Sequence, residues 1–331
     1  MRELMISLDK KILNKDSAVA QRMIEYGKKQ ELFILIPSEK KINLDLSPTV
    51  HVQSTGGHKI VQFFNLISLG RKILRNYVIQ EITTQDPFFT GLAGLILSGI
   101  TGKILEVQLH GDFFSSNYYR QSGLGNWFRY QLARKLVLNR ADRLRVVGQR
   151  IFTNLVQIGV DKNKIIIQPV PIDYDFIKNY QPRFNLHDKY PGYEKIFLFL
   201  GRLDKVKNVF WLVNCFARVV KEESNWLLLI VGDGLEKEGI AEVIKIYQME
   251  KNIKLEKWTD DPFSYVKTAD CVLFPSLSEG YGMVAMEAHA AGTPIIMTDV
   301  GVANYELPAG PKVIITPLDD RDKFIQAILQ L

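Results

Sequence analysis

Short apolar runs alternate with amphipathic, helix-forming stretches from one end of this 331-residue chain to the other. Runs of a few β-prone residues bounded by turn residues read as strands buried on both faces. Their alternation with helical patterns calls for parallel sheets covered by helices. In the first half, the spacing predicts strands over residues 4–8, 32–36, 50–53, 77–82, 104–109, 144–147 and 165–168, and helices over 17–29, 59–74, 127–139 and 149–157, with Ser17 as an N-cap. In the second half it predicts strands over 196–200, 227–231, 253–256, 271–274, 294–297 and 313–315, and helices over 208–221, 236–248, 261–267, 283–291 and 321–329.

One segment breaks the alternation. Residues 169–193 hold Pro169, Pro171, Pro182 and Pro191 and no clear period, which marks a linker. A chain of this length is expected to form two domains, here 1–170 and 171–331. Hydrophobic residues make up 47% and charged residues 24%, an ordinary globular balance. Cys215 and Cys271 sit in apolar contexts and read as core thiols of a reducing compartment. Met1 leads straight into a strand-like run, with no signal-peptide pattern. Residues 88–100 are the nearest approach to a spanning helix, but they carry three glycines and fall short of the ~20 residues required. A cytoplasmic protein is therefore expected.

The charge is uneven. Residues 1–175 hold 24 Lys and Arg against 15 Asp and Glu; the remainder hold 18 against 21. Between Arg120 and Arg150 eight basic residues face one acid, Asp142. Such a run is either a solvated helix face or the footprint of an anionic partner, of which a membrane surface or an anionic acceptor is preferred. Nucleic acid is not expected, since no nucleic-acid module is present.

The richest stretch is PSLSEGYGMVAMEAHAAGTPIIMT, residues 275–298. The apolar run before it reads as a buried strand. The chain then turns through Ser278, Glu279, Gly280, Tyr281 and Gly282 and enters a helix that Gly292 and Pro294 stop. A strand end, a glycine turn and a helix start thus coincide. Unpaired N–H groups at such a start attract phosphate, and glycines let the backbone approach a ligand. Glu287, on the helix, can accept two hydrogen bonds from a ribose diol, and Glu279, in the turn, can reach a hexose hydroxyl. Two glutamates eight apart would by themselves fit a plain strand-turn-helix link with surface glutamates better.

The whole string resembles the glycosyltransferase family 4 signature: a Glu, seven residues and a second Glu after a Pro-Ser strand end, continued by Gly292-Thr293-Pro294 and Asp299-Val300-Gly301. The resemblance is strong from Ile196 to Glu306, moderate from Gln108 to Phe176 and weak before that. It implies an α/β protein of the GT-B type, two Rossmann-like parallel-sheet domains facing each other across a cleft. It further implies retaining transfer from a nucleoside diphosphate sugar to a glycan, lipid-linked or small-molecule acceptor, with no metal or other cofactor. Glu287 would then hold the ribose and Glu279 the hexose. The backbone of Gly280, Tyr281, Gly282 and Met283 would support the sugar and the distal phosphate.

Other residues join this reading. Arg202 and Lys207 follow a strand end with the family's spacing; a leaving diphosphate without a metal needs such fixed cations. Where relatives often have Gly after that Lys, this chain has Asn208. Gly232, in Val231-Gly232-Asp233-Gly234, resembles the family's turn beside the donor, and Trp258 lies where relatives contact the base. His110, at the end of strand 104–109, resembles the cleft histidine that contacts the donor sugar, a natural proton carrier; Asp112 reads as capping a turn. The remaining histidines, His289 on the glutamate helix among them, show no convergent pattern, so no zinc site is expected. Asp173 and Asp175 form an Asp-x-Asp that in another glycosyltransferase architecture holds a divalent cation; within the linker it reads as structural. Residues 9–20 lack the glycine pair that in many relatives shapes the acceptor side, which leaves the acceptor contacts open. Relatives continue past Leu331, so either a chain truncated at its C-terminus or a minimal version of the family is expected. A sugar-nucleotide epimerase or phosphorylase of the same architecture, or a non-catalytic sugar-nucleotide-binding module, remain alternatives.

Overall fold

The computed structural model describes residues 1–114 and 124–331. The chain divides into two compact units, Met1–Val147 with Ile151–Gln168, and Gly148–Arg150 with Pro169–Leu331.

The first unit is built on eight strands: β1 (Arg2–Ile6), β2 (Glu31–Ile36), β3 (Asn43–Ser47), β4 (Val50–Ser54), β5 (Glu81–Thr84), β6 (Ile104–Leu109), β7 (Arg143–Val146) and β8 (Ile165–Ile167). They lie in the order β3-β4-β2-β1-β5-β6-β7-β8, parallel except for the β3–β4 pair. Its helices are α1 (Ala18–Gly27), α2 (Lys59–Asn76), α3 (Phe89–Thr101), α4 (Leu124–Leu132, prolonged by a π-helical turn Ala133–Leu138) and α5 (Gln149–Gln157), of which Gln149 and Arg150 belong to the second unit. Ser17 caps α1 by accepting from the Ala20 N–H, as the sequence predicts.

The second unit begins with α6 (Tyr174–Asn179) and α7 (Leu186–Lys189). Then follow β9 (Lys195–Leu200), α8 (Val209–Glu222), β10 (Trp226–Val231), α9 (Lys237–Ile246), β11 (Ile253–Glu256), α10 (Pro262–Thr268), β12 (Cys271–Phe274), α11 (Met283–Ala291), β13 (Ile295–Thr298), β14 (Val313–Thr316) and α12 (Arg321–Leu329). The sheet is wholly parallel, in the order β11-β10-β9-β12-β13-β14. The chain winds outward from β9 in one direction and from β12 in the other, so the crossovers diverge at the β9–β12 boundary. Every residue of β10 is buried, because helices cover both faces of a parallel sheet. Phe197, Phe216 and Trp226 pack on one side of it, and Phe324 of α12 closes on Trp211 with ring centroids 5.0 Å apart. Burial pushes the thiols of Cys215 and Cys271 well up, so both are inert core groups.

Four local expectations need correction. The strand predicted at 77–82 is Glu81–Thr84; α2 runs on to Asn76, and Tyr77 ends it by donating to the Ile73 carbonyl. Strand β3 escapes the sequence reading because it is a short, half-exposed edge strand, antiparallel to β4. Residues 89–101, weighed in the sequence only as a membrane span, form α3. Its glycines look like helix breakers, but a Cβ on Gly94 would strike Thr84 and Leu105, so Gly94 lets α3 sit close on the sheet. Residues 169–193 are not featureless. Lys267 donates to the carbonyls of Ile177, Lys178 and Tyr180, and Tyr180 donates to Asp261 at 2.7 Å, which fastens α6 to α10. Among the described residues no helix is long and apolar enough to cross a membrane.

Candidate active site

In an open parallel sheet, the crevice beyond the carboxyl ends of the strands is deepest where the crossovers diverge. Here that place lies after Leu200 of β9 and Phe274 of β12. The loop after β9 folds into a 3₁₀ turn, Lys205–Lys207, which Asp204 caps by accepting from the Lys207 N–H. Asn208 ends the turn at φ 57°, in the left-handed region, and α8 starts after it. Asn is among the few residues that adopt this conformation at small cost. The departure from glycine noted in the sequence therefore keeps the same backbone.

The loop after β12 lies against this turn. The Leu277 N–H donates to the Val206 carbonyl at 2.8 Å. Lys207 Nζ reaches Glu279 Oε1 at 2.5 Å, with side-chain exposures of 17% and 12%, and stands 5.4 Å from the centre of the Phe274 ring. Next, Gly282 at φ 108° opens α11, and no side chain caps the helix start. Free N–H groups and the positive end of the helix dipole thus sit beside an ion-paired lysine. The loop carrying Asp299, Val300 and Gly301 packs directly behind. The Val302 N–H donates to the Tyr281 carbonyl at 2.8 Å, and a Cβ on Gly301 would overlap that same carbonyl. The glycine of the Asp299-Val300-Gly301 match is thus a contact requirement.

The structure brings Lys207 and Glu279 together and leaves Arg202 outside their pair. Arg202 is 81% exposed in its side chain and lies 3.4 Å from Asp204, free to swing toward an anion. Glu287 lies one turn into α11, half-buried. Among the described residues its carboxylate makes no hydrogen bond, and loss of hydration raises its pKa. Tyr281 is buried, and burial followed by the charge of Glu306 raises its pKa. Gly232 sits where a Cβ would overlap the Gly201 carbonyl; it lets the loop after β10 brace the loop after β9. Trp258 follows β11 and is exposed. Asp173 caps α6 by accepting from the Phe176 N–H at 2.9 Å, and Asp175 is exposed. No cluster of metal-ligating side chains occurs among the described residues.

His110 belongs to the first unit and follows β6. Its Nε2 lies 3.3 Å from Gln108 Oε1. Part of the residue reaches solvent, so its desolvation is incomplete. Desolvation and, secondly, the Arg145 guanidinium both lower its pKa and favour a neutral ring. Asp112 accepts from the Asn154 side chain at 3.1 Å. The basic run from Arg120 to Arg150 divides between exposed cations, Arg129, Lys135 and Arg140, and cations paired within the fold. Arg120 lies outside the described residues. Arg134 donates to the Ile158 carbonyl, Arg143 pairs with Glu81, and Arg145 donates to Gln108. These three cations satisfy partners within the first unit.

In the sequence Arg150 counts only as the end of the basic run, and Glu306 has no role. Arg150 pairs with Asp299, donates to the carbonyls of Gly301 and Ala303, and stacks on Tyr305 with 5.0 Å to the ring centre. Glu306 accepts from the Gln149 N–H at 2.7 Å. Together they fasten the loop that backs Glu279 and Tyr281. No local signal reveals them, since their partners lie about 150 residues away in the chain.

The family model described as "Glycosyl transferases group 1" matches residues 194–331, which contain Arg202, Lys207, Gly232, Trp258, Glu279, Glu287 and Glu306. Over that region the chain is similar to the group 1 glycosyl transferases. An uncharacterized glycosyltransferase of Methanocaldococcus jannaschii is 32% identical over 37% of this chain and 28% of its own length. The UDP-Gal:alpha-D-GlcNAc-diphosphoundecaprenol alpha-1,3-galactosyltransferase of Escherichia coli is 26% identical over 73% of this chain and 64% of its own length. The chain thus spans less than two thirds of the curated relatives it matches. The Anabaena protein HepE, solved in complex with UDP-glucose, superposes over 100% of this chain and 89% of its own with a TM-score of 0.75 at 17% identity. At that identity the likeness speaks to the fold, which is GT-B.

Proposed function

We propose that this protein is a glycosyl transferase that moves a hexose-type sugar from a nucleoside diphosphate sugar to a glycan, lipid-linked or small-molecule acceptor, with retention and without a metal. The observation that carries the reading is the Lys207–Glu279 pair at the β9–β12 boundary, beside the uncapped start of α11. In the reaction the bond from the sugar's anomeric carbon to the diphosphate oxygen breaks. An acceptor oxygen bonds to that carbon on the same face, and the acceptor proton passes to the departing phosphate. Charge grows on the diphosphate as it leaves. Lys207 and the α11 N–H groups are placed to meet such charge, and the exposed Arg202 can swing to it, in place of a metal cation.

Lys207 also orients Glu279, so that one contact sets both the phosphate and the hexose. Glu287 grips the ribose diol, which gives its unpartnered carboxylate two donors. Gly280, Tyr281, Gly282 and Met283 supply backbone to the sugar and distal phosphate, while Gly232 and Trp258 flank the nucleotide. His110, a neutral imidazole, is suited to a hydrogen bond with a sugar hydroxyl. The Escherichia coli relative is named for UDP-galactose and for an acceptor on diphosphoundecaprenol, and HepE holds UDP-glucose. UDP sugars and lipid-linked acceptors are therefore the first to try, and a cytoplasmic site of action belongs to the same proposal.

The test is a thermal-shift panel of UDP-, GDP-, ADP- and dTDP-sugars on the parent protein and on Lys207→Ala, followed by product analysis. One nucleotide class should raise the Tm of the parent alone, and product should form only when acceptor is present. No shift with any donor, or a changed sugar without acceptor as an epimerase would give, overturns the reading.

A further inference from the structure

The solvent face of α2 is unusual for a surface helix. Ile60, Val61, Phe64 and Ile67 recur on it at helical spacing, and Ile60 and Phe64 are 68% and 65% exposed. The same face continues into Arg71, Lys72 and Arg75, all exposed. No acidic residue occurs between Asp45 and Glu81, so nothing on α2 neutralises these cations. On the apolar half opens a groove of about 750 Å³ lined by Ile60, Phe63, Phe64 and Phe88, with Lys59 and Arg129 among its walls. The Arg129 guanidinium lies 5.4 Å from the centre of the Phe88 ring. A second hollow, lined by Phe64, Ile67, Arg71, Lys72 and Arg75, shares Phe64 with it. Trp127 and Phe128, just before Arg129 on α4, are exposed as well.

We propose that this face of the first unit docks on an anionic lipid bilayer, with Ile60, Phe64 and the groove taking apolar chains and Arg71, Lys72 and Arg75 meeting lipid phosphates. Exposed aromatic and aliphatic side chains beside a one-signed basic array are the make-up of an interfacial helix. A leaflet carrying anionic lipid presents the single sign of charge that this face lacks. A second copy of this chain fits poorly, because pairing the face with itself would bury cations with no carboxylate to meet them. The docking is peripheral, and its groove shares Arg129 with the basic run of residues 120–150 singled out in the sequence. It rests on α2 and the groove beside it, and the binding itself needs neither donor nor acceptor.

Flotation of the full chain with vesicles of phosphatidylcholine, with and without phosphatidylglycerol, tests it. The protein should float with the anionic vesicles only, and less so as salt rises. Replacing Arg71, Lys72 and Arg75 together by Gln should weaken partition roughly 100-fold, at about fivefold per charge. The pair Ile60→Ser and Phe64→Ser should weaken it about tenfold or more. Arg71→Lys with Arg75→Lys should retain it. All these side chains are exposed, so each variant should keep the parent Tm. Equal flotation with neutral vesicles, no flotation with either, full binding by the triple Gln variant, or a dimer that Phe64→Ser dissociates in place of vesicle binding would each overturn the proposal. The salt dependence of the unaltered protein decides the matter even if a variant misfolds.

Discussion

Lys207 Nζ and Glu279 Oε1, 72 residues apart in the chain, meet at 2.5 Å where the two halves of the second sheet diverge. Both side chains are largely withdrawn from water, so the pair is intact only when both members are present. Removing one leaves the other charged and poorly solvated.

Lys207→Ala and Glu279→Gln should each lower turnover by ~10²-fold, the scale of a lost electrostatic stabiliser. The double variant Lys207→Met with Glu279→Gln should recover Tm relative to either single variant while staying as inactive. A Tm cycle and single-turnover kinetics on the four proteins check this. Full additivity of the two losses in Tm would refute the coupling.

Arg202 separates activity from stability. Its side chain is almost entirely in solvent, so Arg202→Ala should leave Tm unchanged while turnover drops ~10²-fold. Near-normal turnover would remove Arg202 from the leaving-group contacts.

Glu287 gives a pH signature. Burial raises its folded pKa above the ordinary 4.5. A carboxyl raised in this way opposes folding at pH above its folded pKa, where it must ionise in a dry setting. The penalty vanishes below its unfolded pKa, where both states are protonated. Glu287→Gln should therefore raise Tm at neutral pH, the gain shrinking to nothing as the pH falls to 4 and lower. The same variant should weaken nucleotide-sugar binding. Measuring Tm against pH, with and without donor, tests both effects, and a gain that grows on acidification contradicts the assignment.

Asn208→Gly should be tolerated within a few tenths of a kcal/mol, whereas Asn208→Ala should cost about 1 kcal/mol, since φ 57° favours residues without a Cβ penalty. Chemical denaturation of the three proteins reads this directly.

EDTA should leave activity intact, because fixed cations take the role of a metal in the proposed reaction. Loss on EDTA with recovery on Mn²⁺ would instead draw Asp173 and Asp175 into the chemistry, despite the capping bond from Asp173 to the Phe176 N–H.

Much of the site was legible where it is local. Residues 271–298 encode their strand, glycine turn and helix in consecutive positions, so the placing of Glu279 and Glu287 follows from propensity and turn chemistry alone. Helix α3 shows the opposite case. Its glycines argue against a helix until the sheet beneath Gly94 is known, because only the close approach gives them a reason. The basic run from Arg120 to Arg150 is legible only in part for a related cause. A count of charges along the chain does not show that Arg143 meets Glu81 or that Arg150 meets Asp299.

The order of apolar and helical runs determined by itself that this chain forms parallel sheets clad in helices, since burial on both faces writes a short-range pattern into every strand. It also determined the backbone devices that depend on neighbours in sequence, such as the Ser17 cap and the turn at Gly282. Only the tertiary structure decided which charges meet. The strand order brings the ends of β9 and β12 side by side and so joins Lys207 to Glu279, and it leaves the α2 face with apolar groups and cations but no acid. Pairing and exposure depend on distances in space, and a linear sequence carries those only through the fold.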